Sequence, residues 1–136
     1  MKLQTKNIVT WICQIVAAAI LAQTLFFKFT AHPESVKLFS ELGIEPLGRI
    51  GIGSFELVAV VLLLISKTAV YGAVLSIGLM SGAIVSHFTH LGWDGARGEL
   101  GMMAVIVWIA SVVVIFMRRY SLLPLLKRFG IKLAKQ

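Results

Sequence analysis

Four runs of apolar residues dominate the chain, and each is long enough to cross a membrane as a helix. A helix needs about 20 apolar residues to cross roughly 30 Å of hydrocarbon, and roughly 17 to 25 are tolerated. The predicted spans are residues 8–29, 50–66, 69–90 and 100–117. Their interiors hold no proline and few charges, so each backbone can form its hydrogen bonds within its own helix. The pattern predicts an all-α fold, an integral membrane four-helix bundle.

The two longer connections differ in kind. Residues 33–43 begin with a proline and end with a glycine. Their apolar positions include Val36, Phe39 and Leu42, which favour a short amphipathic helix in the first outer loop. Residues 92–98 are rich in glycine and predict a loop without regular structure.

The positions of lysine and arginine predict the orientation. With four spans, both termini lie on one side of the membrane. That side receives nine of the 13 basic residues, and the other side receives four: Lys28, Lys37, Arg49 and Arg97. Because basic residues are enriched in cytoplasmic segments, both termini are predicted to be cytoplasmic, in a multi-pass protein of the cell inner membrane.

The last segment of the chain differs from the transmembrane domain, residues 1–117. Residues 118–136 combine spaced bases with leucines and one phenylalanine. This composition predicts a basic cytoplasmic interfacial tail attracted to anionic membrane lipid. An ordinary solvated basic tail is the alternative.

The composition excludes most soluble classes of protein. Hydrophobic residues make up 58% and charged residues 14% of 136 residues, against roughly 45–50% and 25% in typical globular chains. A chain this small cannot bury that apolar fraction away from water. The net charge of +7 comes from bases near the ends of the chain and of the spans, so no nucleic-acid partner is predicted. Cys13 is alone, which excludes a disulfide or a C-x-x-C pair within one chain.

Glu56 is the costliest polar group in the predicted spans. It lies six residues into the second span, about 9 Å below the outer end at 1.5 Å per residue. A charged carboxylate at that depth costs about 2.5–3.5 kcal/mol unless it is paired or protonated, so it should face the bundle interior. Arg49 lies seven residues earlier and should project from nearly the same face. Arg49 and Lys28 are its candidate ion-pair partners, and Glu56 is expected to face His87 of the third span, which lies at the same outer depth.

Each span brings polar groups to the same outer layer, whereas the inner half of the bundle holds few. This asymmetry predicts a cavity open to the outer leaflet and argues against a polar path across the membrane. The third span also carries Gly78 and Gly82 four residues apart, a stripe suited to close helix contact. The candidate ligand-binding residues are Gln23, Lys28, Arg49, Glu56, Ser86, His87, His90 and Glu99.

Several of these residues also have a purely structural interpretation. Glu56 could serve only as an ion-pair partner, and Lys28 could extend to the membrane interface. His87 and His90 share a helix face and could bind a metal, but histidines at this depth more often bond to backbone or lipid headgroups. No metal site is predicted, and no Glu-x-x-His pair of the di-iron type occurs.

The order of these residues resembles the DoxX-like family of small four-helix bacterial membrane proteins. The resemblance covers Gln14 to Leu91, and the spacing from Glu56 to His87 is its most specific part. The motifs that carry it are Phe26-Phe27-Lys28, Phe39-x-x-Leu42-Gly43, Ile50-Gly51-x-x-x-x-Glu56-Leu57, Gly72-Ala73 and Met80-x-Gly82-Ala83-Ile84-x-x-His87.

The resemblance implies a link to membrane redox systems, since relatives are associated with terminal quinol oxidase and with thiosulfate:quinone oxidoreduction. By position, Lys28, Glu56 and His87 match polar positions of the family. The chain departs from the family before Lys28, where the bulky Phe26 and Phe27 stand in place of a frequent glycine.

The leading hypothesis is an outer-leaflet pocket that binds a lipophilic, quinone-like molecule. Glu56 would take a proton or hydrogen bond from the headgroup, and His87 would serve the other oxygen. No cofactor motif is visible, so electrons would come from a membrane oxidoreductase partner, and whether the chain is itself catalytic stays open. The alternatives are a non-enzymatic subunit or assembly factor of a larger membrane complex and a small proton-coupled transporter. Membrane lipid and further copies of the chain, in a homo-oligomer, are the other candidate partners.

Overall fold

The structure is a computed structural model that describes residues 2–128 and 130. The described residues form helices and connections, and no strand occurs among them. In chain order, the helices are α1 (Leu3–Phe29), α2 (Pro33–Glu41), α3 (Leu47–Leu63), α4 (Ala69–Ser86), a π-helical turn (His87–Leu91), α5 (Ala96–Arg118), a 3-10 turn (Arg119–Leu122) and α6 (Leu123–Arg128).

The prediction of an all-α chain with apolar membrane-spanning helices is confirmed for three segments. Leu3–Phe29, Ala69–Leu91 and Ala96–Leu122 are long and apolar enough to cross a membrane. Helix α3 is shorter, with 17 residues, and ends at Leu63 rather than at the predicted residue 66. The chain is therefore a multi-pass membrane protein.

Helices α1, α3, α4 and α5 pack side by side in a closed order. Helix α1 lies between α3 and α5, and α4 lies between the same two helices on the opposite side. Alanine is frequent in the core, for example at Ala17, Ala59, Ala73 and Ala104, which lets the backbones approach closely. Large apolar side chains instead cover the outer faces of these helices. Small residues inside and large apolar residues outside are the pattern expected of helices surrounded by lipid, because apolar side chains in contact with lipid need not be buried in protein.

Close contact between α3 and α4 depends on Gly72. A Cβ atom at this position would lie 2.8 Å from the Leu63 nitrogen and 2.9 Å from the Leu62 Cβ. The predicted Gly78–Gly82 stripe is wrong as a helix contact, because nothing lies within 4 Å of a Cβ placed at either position. These two glycines instead line a cavity.

Helix α2 lies across one end of the four packed helices, and we call this end the α2 end. Pro33 is in its first turn, and the His32 ring nitrogen accepts a hydrogen bond from the Glu34 backbone. Ser35 and Phe39 point inward and are buried. Helix α2 contacts α1, α3 and the π-helical turn, so it covers the space between the packed helices.

The opposite end of the packed helices continues into the predicted tail over residues 118–136. Its first part forms the 3-10 turn and α6. Residues 129 and 131–136 lie outside the described residues.

Candidate functional site

A cavity of about 560 Å³ lies under α2, between the packed helices. It is mostly apolar, and side chains from every helix from α1 to α5 reach it. Six of the eight sequence-predicted site residues line it: Gln23, Lys28, Glu56, Ser86, His87 and Glu99. Arg49 and His90 are outside its lining.

Glu56 is buried, with 2% of its surface exposed, and it faces the cavity rather than lipid. Its partner is Lys28 of α1, whose ammonium nitrogen lies 3.1 Å from Oε1 and 3.0 Å from Oε2. The Thr24 hydroxyl, one turn earlier in α1, lies 3.0 Å from the Leu21 carbonyl oxygen and 3.5 Å from Oε2, and its single hydrogen is shared between these two acceptors. These contacts provide the opposite charge and the hydrogen bonds that a buried carboxylate requires.

The expected pairing of Arg49 with Glu56 is wrong. The Arg49 guanidinium bonds to the Glu45 carboxylate over 2.8 Å and to the backbone carbonyl of Lys28. Glu45 precedes α3, and the Lys28 carbonyl lies at the end of α1, where it also accepts a hydrogen bond from the Ala31 backbone over 3.3 Å. Arg49 therefore joins α3 to the end of α1 and supports Lys28 through its backbone.

His87 is the second buried polar group of the cavity, with 5% of its surface exposed. Its Nδ1 lies 2.9 Å from the carbonyl oxygen of Ala83, and its Nε2 is buried without a hydrogen-bond partner. The ring packs against Trp93, with centroids 5.2 Å apart. Trp93 Nε1 is likewise buried without a hydrogen-bond partner, so each of the two contacting rings carries an unpaired polar atom, which is uncommon in a protein interior.

The local backbone sets this position of His87. It is the first residue of the π-helical turn, and its carbonyl accepts a hydrogen bond from Gly92 over 2.9 Å. Gly92 has a φ of 77°, which favours glycine and turns the chain back over the ring. Single π-helical turns occur often at functional sites.

His90 does not join the cavity, although it was predicted to share a face with His87. The wider π-helical turn removes the stacking that residues three apart have in an α-helix. His90 is exposed, and its Nδ1 lies 2.7 Å from the Thr89 hydroxyl. Among the described residues, no group of three or more metal-ligating side chains occurs.

Trp93 supports the cavity although it is not among the predicted site residues; the sequence favoured a membrane-belt or packing role for it. Its ring contacts those of His87 and Phe88 and lies against Gly101 of α5, and its backbone carbonyl lies against Gly98. The only sequence signal was a tryptophan inside a glycine-rich loop, which fits an interfacial residue equally well. The side chain instead turns inward and holds the His87 ring.

In the half of the packed helices away from α2, a buried glutamine side chain links three helices by hydrogen bonds. Gln14 is fully buried, and its Nε2 donates to the Leu63 carbonyl over 2.6 Å. Its Oε1 accepts from Arg118 Nε over 2.6 Å, and the Arg118 guanidinium lies 5.6 Å from the Trp11 ring centroid. This link joins α1, α3 and α5, and none of its residues lines the cavity.

Arg97, in the first turn of α5, connects α5 to α2, the helix that covers the cavity. Its guanidinium bonds to the Glu41 carboxylate of α2 and to the Leu91 carbonyl. The hydrogen bond from Arg97 lowers the pKa of Glu41 below its ordinary value of 4.5.

A family model described as the DoxX-like family matches residues 12–117, which is most of the chain and includes every cavity-lining residue. No curated protein and no solved structure matches the chain significantly.

Proposed function

This chain belongs to the DoxX-like family, and from that premise we propose that it binds a lipophilic, quinone-like molecule in the cavity under α2. The proposed setting is a membrane redox system, with electrons supplied by an oxidoreductase partner. The observation that carries the proposal is the buried Lys28–Glu56 pair on the wall of an apolar cavity that His87 also lines.

The proposed membrane arrangement places this cavity in the outer leaflet. Helix α3, at 17 residues, is within the range that can span a bilayer, which makes α1, α3, α4 and α5 a transmembrane four-helix bundle. Both termini then lie on the same side, and the basic residues around them favour the cytoplasmic side of the inner membrane. The α2 end faces outward.

The cavity suits a ring with two oxygens and an apolar body. Its volume of about 560 Å³ lies within the roughly 300–1,000 Å³ of small-molecule pockets. Most of its lining is apolar, which suits a lipophilic molecule that enters from the bilayer. The Lys28 ammonium carries three N–H donors, so it can bond to a ligand oxygen while it keeps Glu56 paired. His87 Nδ1 lies against the Ala83 carbonyl, so Nε2 would accept a hydrogen bond from a hydroxyl group at the other ligand oxygen.

A bound quinone would supply two-electron redox chemistry that no side chain of this protein provides. The protein's own residues would orient the ring, exclude water and hold protons. Glu56 and His87 are the two groups suited to exchange protons with the ligand oxygens.

Binding of a decyl-substituted benzoquinone to the purified protein in detergent tests the proposal, measured by isothermal titration calorimetry. Gly82→Leu should abolish saturable binding, because a side chain there enters the cavity without meeting protein atoms. Val74→Leu, on the exposed face of the same helix, is the matched control and should bind normally.

Substitutions of the polar groups provide the second arm. Glu56→Gln and His87→Ala should each weaken binding of the reduced, dihydroxy form of the probe about threefold or more, the effect of losing one hydrogen bond. If both variants and Gly82→Leu bind the probe as the unmodified protein does, the cavity is not the binding site and the proposal fails.

A further inference from the structure

Helix α2 covers the cavity, but a single polar contact attaches it to the other helices. Among the described residues, the ion pair between Glu41 and Arg97 of α5 is the only hydrogen bond or ion pair that joins residues 33–41 to another helix. Both side chains of this pair are partly exposed. Arg97 also donates to the Leu91 carbonyl, which holds its guanidinium beside α2.

The remaining attachment of α2 is its apolar face. Leu38 and Phe39 line the cavity, and Phe39 is buried with 7% of its surface exposed. The opposite face carries the exposed side chains of Lys37 and Glu41. A helix with one apolar and one charged face is also stable on a membrane surface, where the apolar face enters the headgroup region. Helix α2 can therefore leave the cavity without exposing its apolar face to water.

The backbone on both sides of α2 is suited to a hinge. Ala31 lies two residues before Pro33 and has a φ of 52°, and Gly43 lies two residues after Glu41 and has a φ of 74°. The left-handed region is unfavourable for alanine and accessible to glycine. A rotation at Ala31 would release the strain that the observed position of α2 imposes. Residues at the ends of an element commonly absorb the change in backbone angles when that element moves.

We infer that α2 is a hinged lid, held shut by the Glu41–Arg97 pair, which opens the cavity at the α2 end. The closed lid shields the Lys28–Glu56 pair from water, and the open lid admits a lipophilic molecule from the membrane surface. This inference goes beyond the proposed function, because it holds for any ligand of the cavity.

A cysteine on the cavity wall can report on the opening of the lid. Ala104 of α5 lines the cavity and has 5% of its surface exposed, so a thiol introduced by Ala104→Cys is reached through the cavity. Cys13, the one native cysteine, is replaced by alanine in every protein tested. We call the protein with these two substitutions the parent.

The parent and its variants are placed in lipid nanodiscs, and labelling of the thiol is followed by mass spectrometry. A charged methanethiosulfonate, which does not enter hydrocarbon, measures opening at the α2 end. N-ethylmaleimide is uncharged and serves as the reference for entry through the bilayer.

Arg97→Gln breaks the ion pair and should speed labelling by the charged reagent about three- to fivefold, the upper end of what one exposed ion pair contributes. Lys37→Gln removes a positive charge from the exposed face of α2 and is the matched control, with a rate equal to that of the parent. Arg97→Glu places two carboxylates side by side and should speed labelling more than Arg97→Gln does. The charge exchange, Arg97→Glu with Glu41→Arg, should bring the rate back toward that of the parent.

Several results would overturn the inference. Equal rates for Arg97→Gln and the parent show that the ion pair does not hold α2 shut. A rate that stays high after the charge exchange shows that the effect comes from damage around Arg97 and not from the lost bond.

The two reagents together identify the route into the cavity. If N-ethylmaleimide labels the thiol and the charged reagent labels none of the proteins, the cavity opens between the helices toward hydrocarbon, and α2 is a fixed cap. If neither reagent reaches the thiol, α2 does not open. Quinone binding is measured separately, so the proposed function and this inference can fail independently.

Discussion

The Lys28 ammonium lies 3.0 Å and 3.1 Å from the two carboxylate oxygens of Glu56 and thereby joins the end of α1 to the middle of α3. The carboxylate has 2% of its surface exposed and the lysine side chain 13%, so the pair lies in the protein interior at the cavity wall. An ion pair with so little access to water depends on both partners being present.

Removing one partner of this pair should cost more stability than removing both. Lys28→Met leaves a buried carboxylate without its counter-charge and should destabilise the fold by about 3–5 kcal/mol. The double variant Lys28→Met with Glu56→Gln should be closer to the unmodified protein than Lys28→Met alone. Unfolding by a denaturing detergent, followed by circular dichroism, measures these differences.

Lys37→Met, on the exposed face of α2, is the control for loss of a lysine and should change stability little. Additive effects of the Lys28 and Glu56 substitutions would show that the two side chains do not interact.

Two glycines of α4 should respond to alanine in opposite directions. At Gly72 the new methyl group meets the Leu63 nitrogen at 2.8 Å, so α3 and α4 must move apart and stability should fall by about 1–3 kcal/mol. At Gly78 the methyl group meets nothing within 4 Å, and the higher helix propensity of alanine should add up to about 1 kcal/mol. The same unfolding assay compares them. Equal effects would contradict the packing described for α3 and α4.

The buried amide of Gln14 should be a strong contributor to stability in the half of the protein away from the cavity. Gln14→Leu keeps the volume but removes the hydrogen bonds to the Leu63 carbonyl and from Arg118. The expected loss is about 1–3 kcal/mol, because both partners lose a buried bond. Gln4→Leu, at the exposed start of the same helix, is the matched control. A Gln14→Leu protein as stable as the control would show that the link contributes nothing.

The bond between Arg97 and Glu41 should make the attachment of α2 sensitive to acid. Because the pKa of Glu41 in the folded state is lowered from its ordinary 4.5, the bond stabilises the fold at pH values above that value. The contribution is lost as the pH falls through the lowered folded-state pKa. Thermal unfolding of the unmodified protein and of the Glu41→Gln variant, compared from about pH 6 to about pH 3, measures this pH-dependent contribution to stability.

The glutamine variant should lack this component of the acid dependence, so the stabilities of the two proteins should converge at the acidic end of the range. A constant difference between them across the whole range would argue that Glu41 does not titrate against Arg97.

The sequence predicted the depth of the candidate-site residues in the membrane better than it predicted which of these residues bond to each other. Counting residues along helices placed Glu56, Lys28 and His87 near one level, and all three line the cavity. The same counting assigned Arg49 to Glu56, although Arg49 bonds to Glu45 and to the Lys28 carbonyl. Helical periodicity gives the direction in which a side chain leaves its helix, but a long flexible side chain bonds to whichever partner the neighbouring helix brings nearest.

The amino-acid sequence by itself determined that the chain is helical and embedded in a membrane, because the lengths of apolar runs and the cost of burying charge in lipid are properties of the local chain. The tertiary structure alone decided which glycine admits a neighbouring helix and which ones border the cavity. It also decided that the π-helical turn separates His87 from His90 and that His87 Nδ1 lies within hydrogen-bond distance of the Ala83 carbonyl oxygen. Those features depend on distances between groups on different turns and helices, and such distances are set by packing rather than by spacing along the chain.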